Sequence, residues 1–320
     1  MSEGIDMQSG HKPSAVNLTE AAALLINMGG PENPDEVRPF IRSLFSDPCI
    51  MQVPGPIRAA LAIMLSRLRA SNVRRHYQAI GGKSPLKALT SSQAKKVADK
   101  LAAKYPNLSV QAAYSYSHPR IIEAVAQLSR RKYDRIIAVP MYPHYSRATR
   151  GSVYRELDIA VRKYGIGETV RTVAPFYEHP LYIEATVDLL QRALSDIDLN
   201  RPFRVIFTAH SLPQSYIDGG DPYREQIERT IAVVTEKFPL ENHVTSYQSK
   251  VGPVKWMQPS TTDTIRETAK MGLRQVVVMP IGFVCDHLET LYELDMELAE
   301  IARDAGITNF VRGQVFNDHE

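Results

Sequence analysis

The sequence predicts an α/β protein of two Rossmann-like domains, each with a four-stranded parallel sheet flanked by helices. Three observations lead there. Short β-branched runs alternate with helical patterns along the whole chain. The strand runs are almost continuously apolar, as in parallel sheets covered on both faces. In the second half, successive strands start about 30–40 residues apart, one βαβ unit each.

Taken in order, strands are expected at 22–28, 109–116, 135–141 and 169–174, then at 204–209, 243–248, 275–280 and 309–315. Helical patterns occupy 119–131, 152–164, 181–195, 222–238 and 262–271. Ser117 stands where it would cap the first of these, with Pro119 in the first turn. About 80 residues separate the first two strands, twice the usual spacing, so the first domain carries an insertion over about residues 50–104. The domain boundary falls near residues 175–180, giving a first domain of 21–175 and a second of 176–320. Residues 1–20 are polar, with Glu3 and Asp6 where a signal peptide needs basic residues, and read as a disordered leader.

A chain of 320 residues, 44% apolar and 23% charged, has room for both cores. Its apolar stretches fall short of the roughly 20 residues that span a bilayer. Cys49 and Cys285 form neither a disulfide framework nor a CxxC pair, which suits a reducing, cytoplasmic setting. The net charge of +3 conceals a strong polarity. Eleven Lys/Arg stand against one acid between Val53 and Lys104, whereas seven acids stand against one Arg between Asp286 and Asp304. The first region attracts anions and the second cations. No zinc-finger spacing, RNA-binding signature or heptad zipper supports a nucleic-acid partner. A small anionic ligand or an anionic membrane surface suits the basic segment at least as well.

The acidic segment DHLETLYELDMELAEIARD puts Asp286, Glu289, Glu293, Glu297, Glu300 and Asp304 in one arc of about 80° on an α-helix, opposite an apolar stripe. Solvated faces usually mix signs, because like charges at i,i+4 cost ~0.2–0.5 kcal/mol per pair. This stripe has one sign and follows an apolar strand, where open α/β sheets place their sites. It reads as cation handling by carboxylates rather than as plain surface. His287 and Glu289 point about 200° apart on a regular helix, so joint ligation needs an irregular first turn. A π-bulge would also bring Glu289, Glu293 and Glu297 into one file.

His210, at the end of the 204–209 strand, faces the crevice between domains, where it either takes protons or ligates a metal. Ser211 lacks a GxSxG elbow and HExxH is absent, so neither a serine nucleophile nor a zinc hydrolase is expected. The turn NMGGPENP holds no nucleotide fingerprint, which leaves Gly29 and Gly30 as a tight turn. Tyr77, Ser84, Tyr116, Tyr142 and Tyr145 are candidates to line a cleft. Trp256, the one tryptophan, has core packing as its plainer reading.

Together LLINMGGP, IGGKSP, YPHYS, FTAHSLP, GDPY, YQSKVGPVKWMQP and FVCDHLETLYELDME resemble the ferrochelatase family, in order, over roughly residues 22–317. The resemblance implies chelatase-type domains that insert Fe2+ into protoporphyrin IX, releasing two protons, as the terminal step of haem synthesis. It implies that His210 accepts pyrrole protons or binds the metal, with Glu289 facing it across the macrocycle. Asp286, His287, Glu293 and Glu297 would continue a metal or proton path. Met28, Tyr77, Tyr116 and Trp256 match positions lining the porphyrin pocket, which Tyr142 joins from the cleft reading. Arg69 and Ser84 match positions near the propionates. Ser115 stands where many relatives carry an arginine.

Fe2+ is then a substrate, no cofactor is permanently bound, and without a C-terminal cysteine-rich extension no iron–sulfur cluster is expected. The apolar lip from Val53 to Leu65 implies peripheral contact with the inner face of a membrane. A coproporphyrin ferrochelatase, a cobaltochelatase of the same fold and a non-catalytic porphyrin or haem carrier are the rivals. The acidic ladder speaks against the carrier, which needs no cation path.

Overall fold

The computed structural model describes residues 20–250 and 252–318. The leader expected at 1–20 lies outside them, Glu20 apart. Strands β1 (Ala21–Asn27), β2 (Leu108–Tyr114), β3 (Arg135–Pro140) and β4 (Val170–Thr172) form one sheet, ordered β2-β1-β3-β4. Strands β5 (Phe203–His210), β6 (His243–Gln248), β7 (Gln275–Pro280) and β8 (Asn309–Arg312) form a second, ordered β6-β5-β7-β8. Every pairing is parallel, and the order repeats in both halves. The central strands explain the apolar runs: β1 and β7 are buried at every position, as strands covered by helices on both faces must be.

The helices are α1 (Val37–Phe45), α2 (Gly55–Ala79), α3 (Leu86–Leu101), α4 (Ile121–Leu128), α5 (Ser152–Tyr164), α6 (Pro180–Leu194), α7 (Gln214–Asp218), α8 (Tyr223–Lys237), α9 (Thr261–Lys270) and α10 (Ala299–Asp304). The first three fill the long gap between β1 and β2, so the insertion is helical. Among the described residues no helix is long and apolar enough to cross a membrane.

One capping expectation needs correction. The Tyr114 N–H donates to the Pro119 carbonyl at 2.9 Å, which holds the chain in a turn until Arg120. Helix α4 therefore starts at Ile121, and Glu123 accepts from the Arg120 N–H at 2.7 Å. The Ser117 hydroxyl donates instead to the Gly30 carbonyl at 3.1 Å. This ties the loop after β2 to the turn after β1. Gly29 there has φ +86°, and a Cβ would sit 2.6 Å from the Ser117 oxygen, so the turn requires glycine.

Arg150 fixes the carboxyl end of β3. It is fully buried and donates to the carbonyls of Tyr142 (2.7 Å), Val173 (2.7 Å) and Pro140 (3.3 Å) and to the Tyr154 hydroxyl (2.9 Å). Among the described residues no carboxylate pairs with it; carbonyl dipoles balance it. Arg150→Met keeps much of the volume but orphans several buried acceptors, so a loss of about 2–4 kcal/mol is expected in denaturant unfolding. A wild-type midpoint would refute that role. Nearby His144 donates to or accepts from Thr230 of α8 at 2.8 Å, joining the two halves. Burial and then the Arg150 charge push its pKa down to about 3, so it is a neutral, structural histidine.

Candidate active site

In a sheet ordered 2-1-3-4 the chain reverses its winding between the two central strands, and a crevice opens at their carboxyl ends. In the second half these strands are β5 and β7. His210 is the last residue of β5; the loop after β7 delivers His287 and Glu289. The Glu289 carboxylate stands between the two imidazoles, 2.9 Å from His210 Nδ1 and 3.2 Å from His287 Nε2.

The irregular turn that this pairing requires is present, and it extends further than a bulge. Residues Glu289–Leu298 form a ten-residue π-helix that runs on into α10. Thr290 shapes its start: its hydroxyl accepts from the His287 N–H at 3.0 Å and donates to Asp286 at 2.7 Å. With i→i+5 bonding each turn takes more than four residues, so side chains four apart stay nearly in file. Glu289, Glu293 and Glu297 are such a file. Glu289 and Glu293 are half-buried and Glu297 is exposed, which grades the file from crevice to solvent.

The electrostatics follow from that placement. Burial alone would raise the Glu289 pKa, but the His210 and His287 imidazoles hold it well below the carboxylate range. Burial alone would lower His210, but Glu289, with help from Glu293, raises it above the ordinary imidazole value. Glu289 is thus a fixed anion that stabilises an imidazolium on its neighbour. Glu293 behaves oppositely. Burial and then the Glu289 charge raise it to about 7, so it gains and loses a proton near neutrality. The Ser249 hydroxyl donates to Glu293, and the Gln248 side chain donates to the Glu289 carbonyl at 2.9 Å.

The other expected residues divide. Tyr77 and Tyr142 lie close enough to Glu289 for its charge to add to burial in raising their phenol pKa values, so both stay neutral in the crevice. Trp256 bridges to Pro213, just past His210, and its buried Nε1 has no partner among the described residues. Met28 follows β1 and accepts, through its carbonyl, from the Tyr116 N–H at 3.0 Å. Arg69 of α2 lies over the Phe45 ring at 5.8 Å and within the field of Glu293.

Three more expected residues are engaged with neighbours beside this cluster. Ser84 packs under Gly30, where a Cβ would meet it at 2.5 Å. The Tyr116 hydroxyl donates to Asp47 at 2.8 Å. Asp286 accepts from Arg312 (3.2 Å), Thr290 and Asn317 (2.7 Å each). Both of its oxygens are thus hydrogen-bonded within the protein. Among the described residues no three His, Cys, Asp or Glu side chains form a ready-made metal cage.

Sequence reasoning also missed a contact between the end of α2 and the acidic helix: His76 of α2 stacks on Tyr292, with ring centroids 4.0 Å apart and planes at 13°. Its signal was faint, since a lone His and a Tyr more than 200 residues apart carry no shared spacing. Gln248 and Ser249 lay inside a quoted motif, YQSKVGPVKWMQP, but a Ser hydroxyl reveals its partner only once folded.

Comparisons with known proteins bear on the family and the fold. The ferrochelatase family profile matches residues 20–320. A ferrochelatase of Geotalea uraniireducens is 40% identical over 93% of each chain. One from a Sulfurihydrogenibium species is 39% identical over 92% of this chain and 93% of its own. Among solved structures, SirB from Bacillus subtilis with Fe3+ superposes with a TM-score of 0.54 at 11% identity, covering 94% of this chain and 90% of its own. DR2241 from Deinococcus radiodurans, described as similar to chelatases, gives 0.55 at 14% identity, covering 94% of this chain and 52% of its own. These two show a shared two-sheet fold, and the sequence matches carry the rest: the chain belongs to the ferrochelatase family.

Proposed function

We propose that this chain inserts Fe2+ into protoporphyrin IX in the crevice beside His210, and that the His210–Glu289–His287 cluster manages the two protons released. One observation carries the proposal: a half-buried carboxylate pairs with His210 and heads a graded file of glutamates. With Glu289 ionised, His210 Nδ1–H donates to it and Nε2 keeps its lone pair for a pyrrole N–H. The imidazolium that forms is stabilised by Glu289. Glu293, poised near neutrality, then passes protons toward exposed Glu297 and solvent. Oxygen ligands of this kind also hold Fe2+ loosely enough to hand it on, whereas thiolates would trap it. Tyr77, Tyr142, Met28 and Trp256 supply the flat apolar slot, and Arg69 offers a charge for a propionate. In this reading Asp286 anchors the π-helix through Arg312 and does not carry metal, and the reaction needs no resident cofactor or cluster.

The exposed Ile57, Met64 and Leu68 of α2 fall within about 40° of arc and form the face that would rest on a membrane. The function is tested by anaerobic incubation with Fe2+ and either protoporphyrin IX or coproporphyrin III, following metalloporphyrin formation. Faster turnover of protoporphyrin is expected. Preference for the four-carboxylate substrate would change the assignment, and stoichiometric binding without insertion would make the protein a carrier.

A further inference from the structure

Helix α1 has two faces. Val37, Ile41 and Phe45 pack with Tyr77 and Leu288 toward the site above. Arg38 and Arg42 lie about 100° further round and open onto a separate cavity of ≈ 850 Å³. Six arginines line it, Arg38, Arg42, Arg58, Arg74, Arg120 and Arg155, against three carboxylates. Two of those carboxylates are already engaged. Asp47 accepts from the Tyr116 and Ser152 hydroxyls, and Glu156 accepts from Arg120 at 3.1 Å.

Three of the guanidinium groups are held in place. Arg58 donates to the Val53 carbonyl and Arg74 to the Pro34 carbonyl, both at 2.8 Å, and Arg120 reaches the Ser43 hydroxyl at 2.8 Å. For Arg58 and Arg74 these partners are neutral, so the positive charge is undiminished. Arg38, Arg42 and Arg155 form no ion pair among the described residues. Like charges gathered round one cavity repel unless an anion joins them. The planar fork of arginine matches the oxygens of a phosphate two at a time.

We infer that this arginine-lined cavity binds a phosphate-bearing ligand, outside the chelation cluster and on the flank of α1, with Tyr116 in its wall. The phosphate has two sources of the same chemistry, a soluble polyphosphate or the headgroup of an anionic lipid. The second draws on α2, which supplies Arg58 and Arg74 and also exposes Ile57, Met64 and Leu68.

The test uses the full chain and the double variant R42Q/R155Q, whose exposed side chains can change without opening the core. A charge-matched control, K95Q/K100Q, alters the exposed side of α3 instead. Inorganic pyrophosphate binding is followed by calorimetry, and co-sedimentation is measured with phosphatidylglycerol and phosphatidylcholine vesicles, at physiological ionic strength. Pyrophosphate binding that weakens at least tenfold in R42Q/R155Q but not in the control supports the site and a soluble ligand. Binding only to phosphatidylglycerol vesicles, with the same loss, supports the site and the lipid source. Absence of both, or equal loss in the two variants, overturns it. Circular dichroism confirms that each variant is folded.

Discussion

Glu289→Gln is expected to lower kcat for iron insertion by about 10²–10⁴-fold, the range for loss of acid–base machinery, while porphyrin affinity changes by less than about threefold. The carboxylate sits 2.9 Å from His210 and 3.2 Å from His287 and is the anion that raises His210 above its ordinary pKa. Glutamine keeps the shape but not the charge. Burial then acts on His210 without opposition and pushes its pKa down, so the imidazolium that should follow proton transfer is no longer stabilised. Porphyrin affinity rests on the ring-lined slot and is spared. Steady-state turnover together with fluorescence-quenching titration separates the two quantities. Equal losses in both, or no loss in kcat, would place Glu289 outside the chemistry.

Glu293→Gln should change both the pH profile and stability, in opposite directions. Glu293 titrates at about 7 because it is partly withdrawn from water and lies beside Glu289. As a relay it must be ionised to receive a proton, so wild-type turnover should rise as pH passes through about 7. The glutamine variant should lose that limb along with most of the activity. For stability, the folded state holds a proton that the unfolded chain releases near its ordinary value of 4.5. The contribution is fully present below 4.5 and is lost as pH rises toward 7. Glutamine cannot ionise. The variant should therefore melt about 2–6 °C above wild type at pH 8.5, and the difference should vanish near pH 4. A variant less stable at pH 8.5 would show that Glu293 is not strained by its surroundings.

The two-sheet architecture was legible because parallel strands buried on both faces leave nearly unbroken apolar runs. QVVVMP, expected as a strand at 275–280, is β7 at those residues and is buried throughout. Helix α5 likewise matches its expected span of 152–164. Local signals failed where a distant partner decided the outcome. Ser117 looked like a helix cap, yet it serves the turn after β1 because Pro119 accepts from Tyr114. For Asp286, spacing shows the acidic stripe but not its partners Arg312 and Asn317, on and just past β8. The π-helix was foreseen only as a local bulge. Ten residues of it follow from packing at its start that no periodicity reveals, with Thr290 gripping Asp286 on one side and Glu289 fixed between two histidines.

The central claim is that His210 takes protons from the macrocycle with Glu289 as its counter-charge. Its most direct test is His210→Ala, mixed anaerobically with excess protoporphyrin IX and Fe2+, with haem formation followed through a single turnover and porphyrin affinity measured in parallel. The account predicts retained porphyrin binding and insertion slowed by at least about 10³-fold, with partial recovery on adding free imidazole. Insertion at the wild-type rate would contradict it.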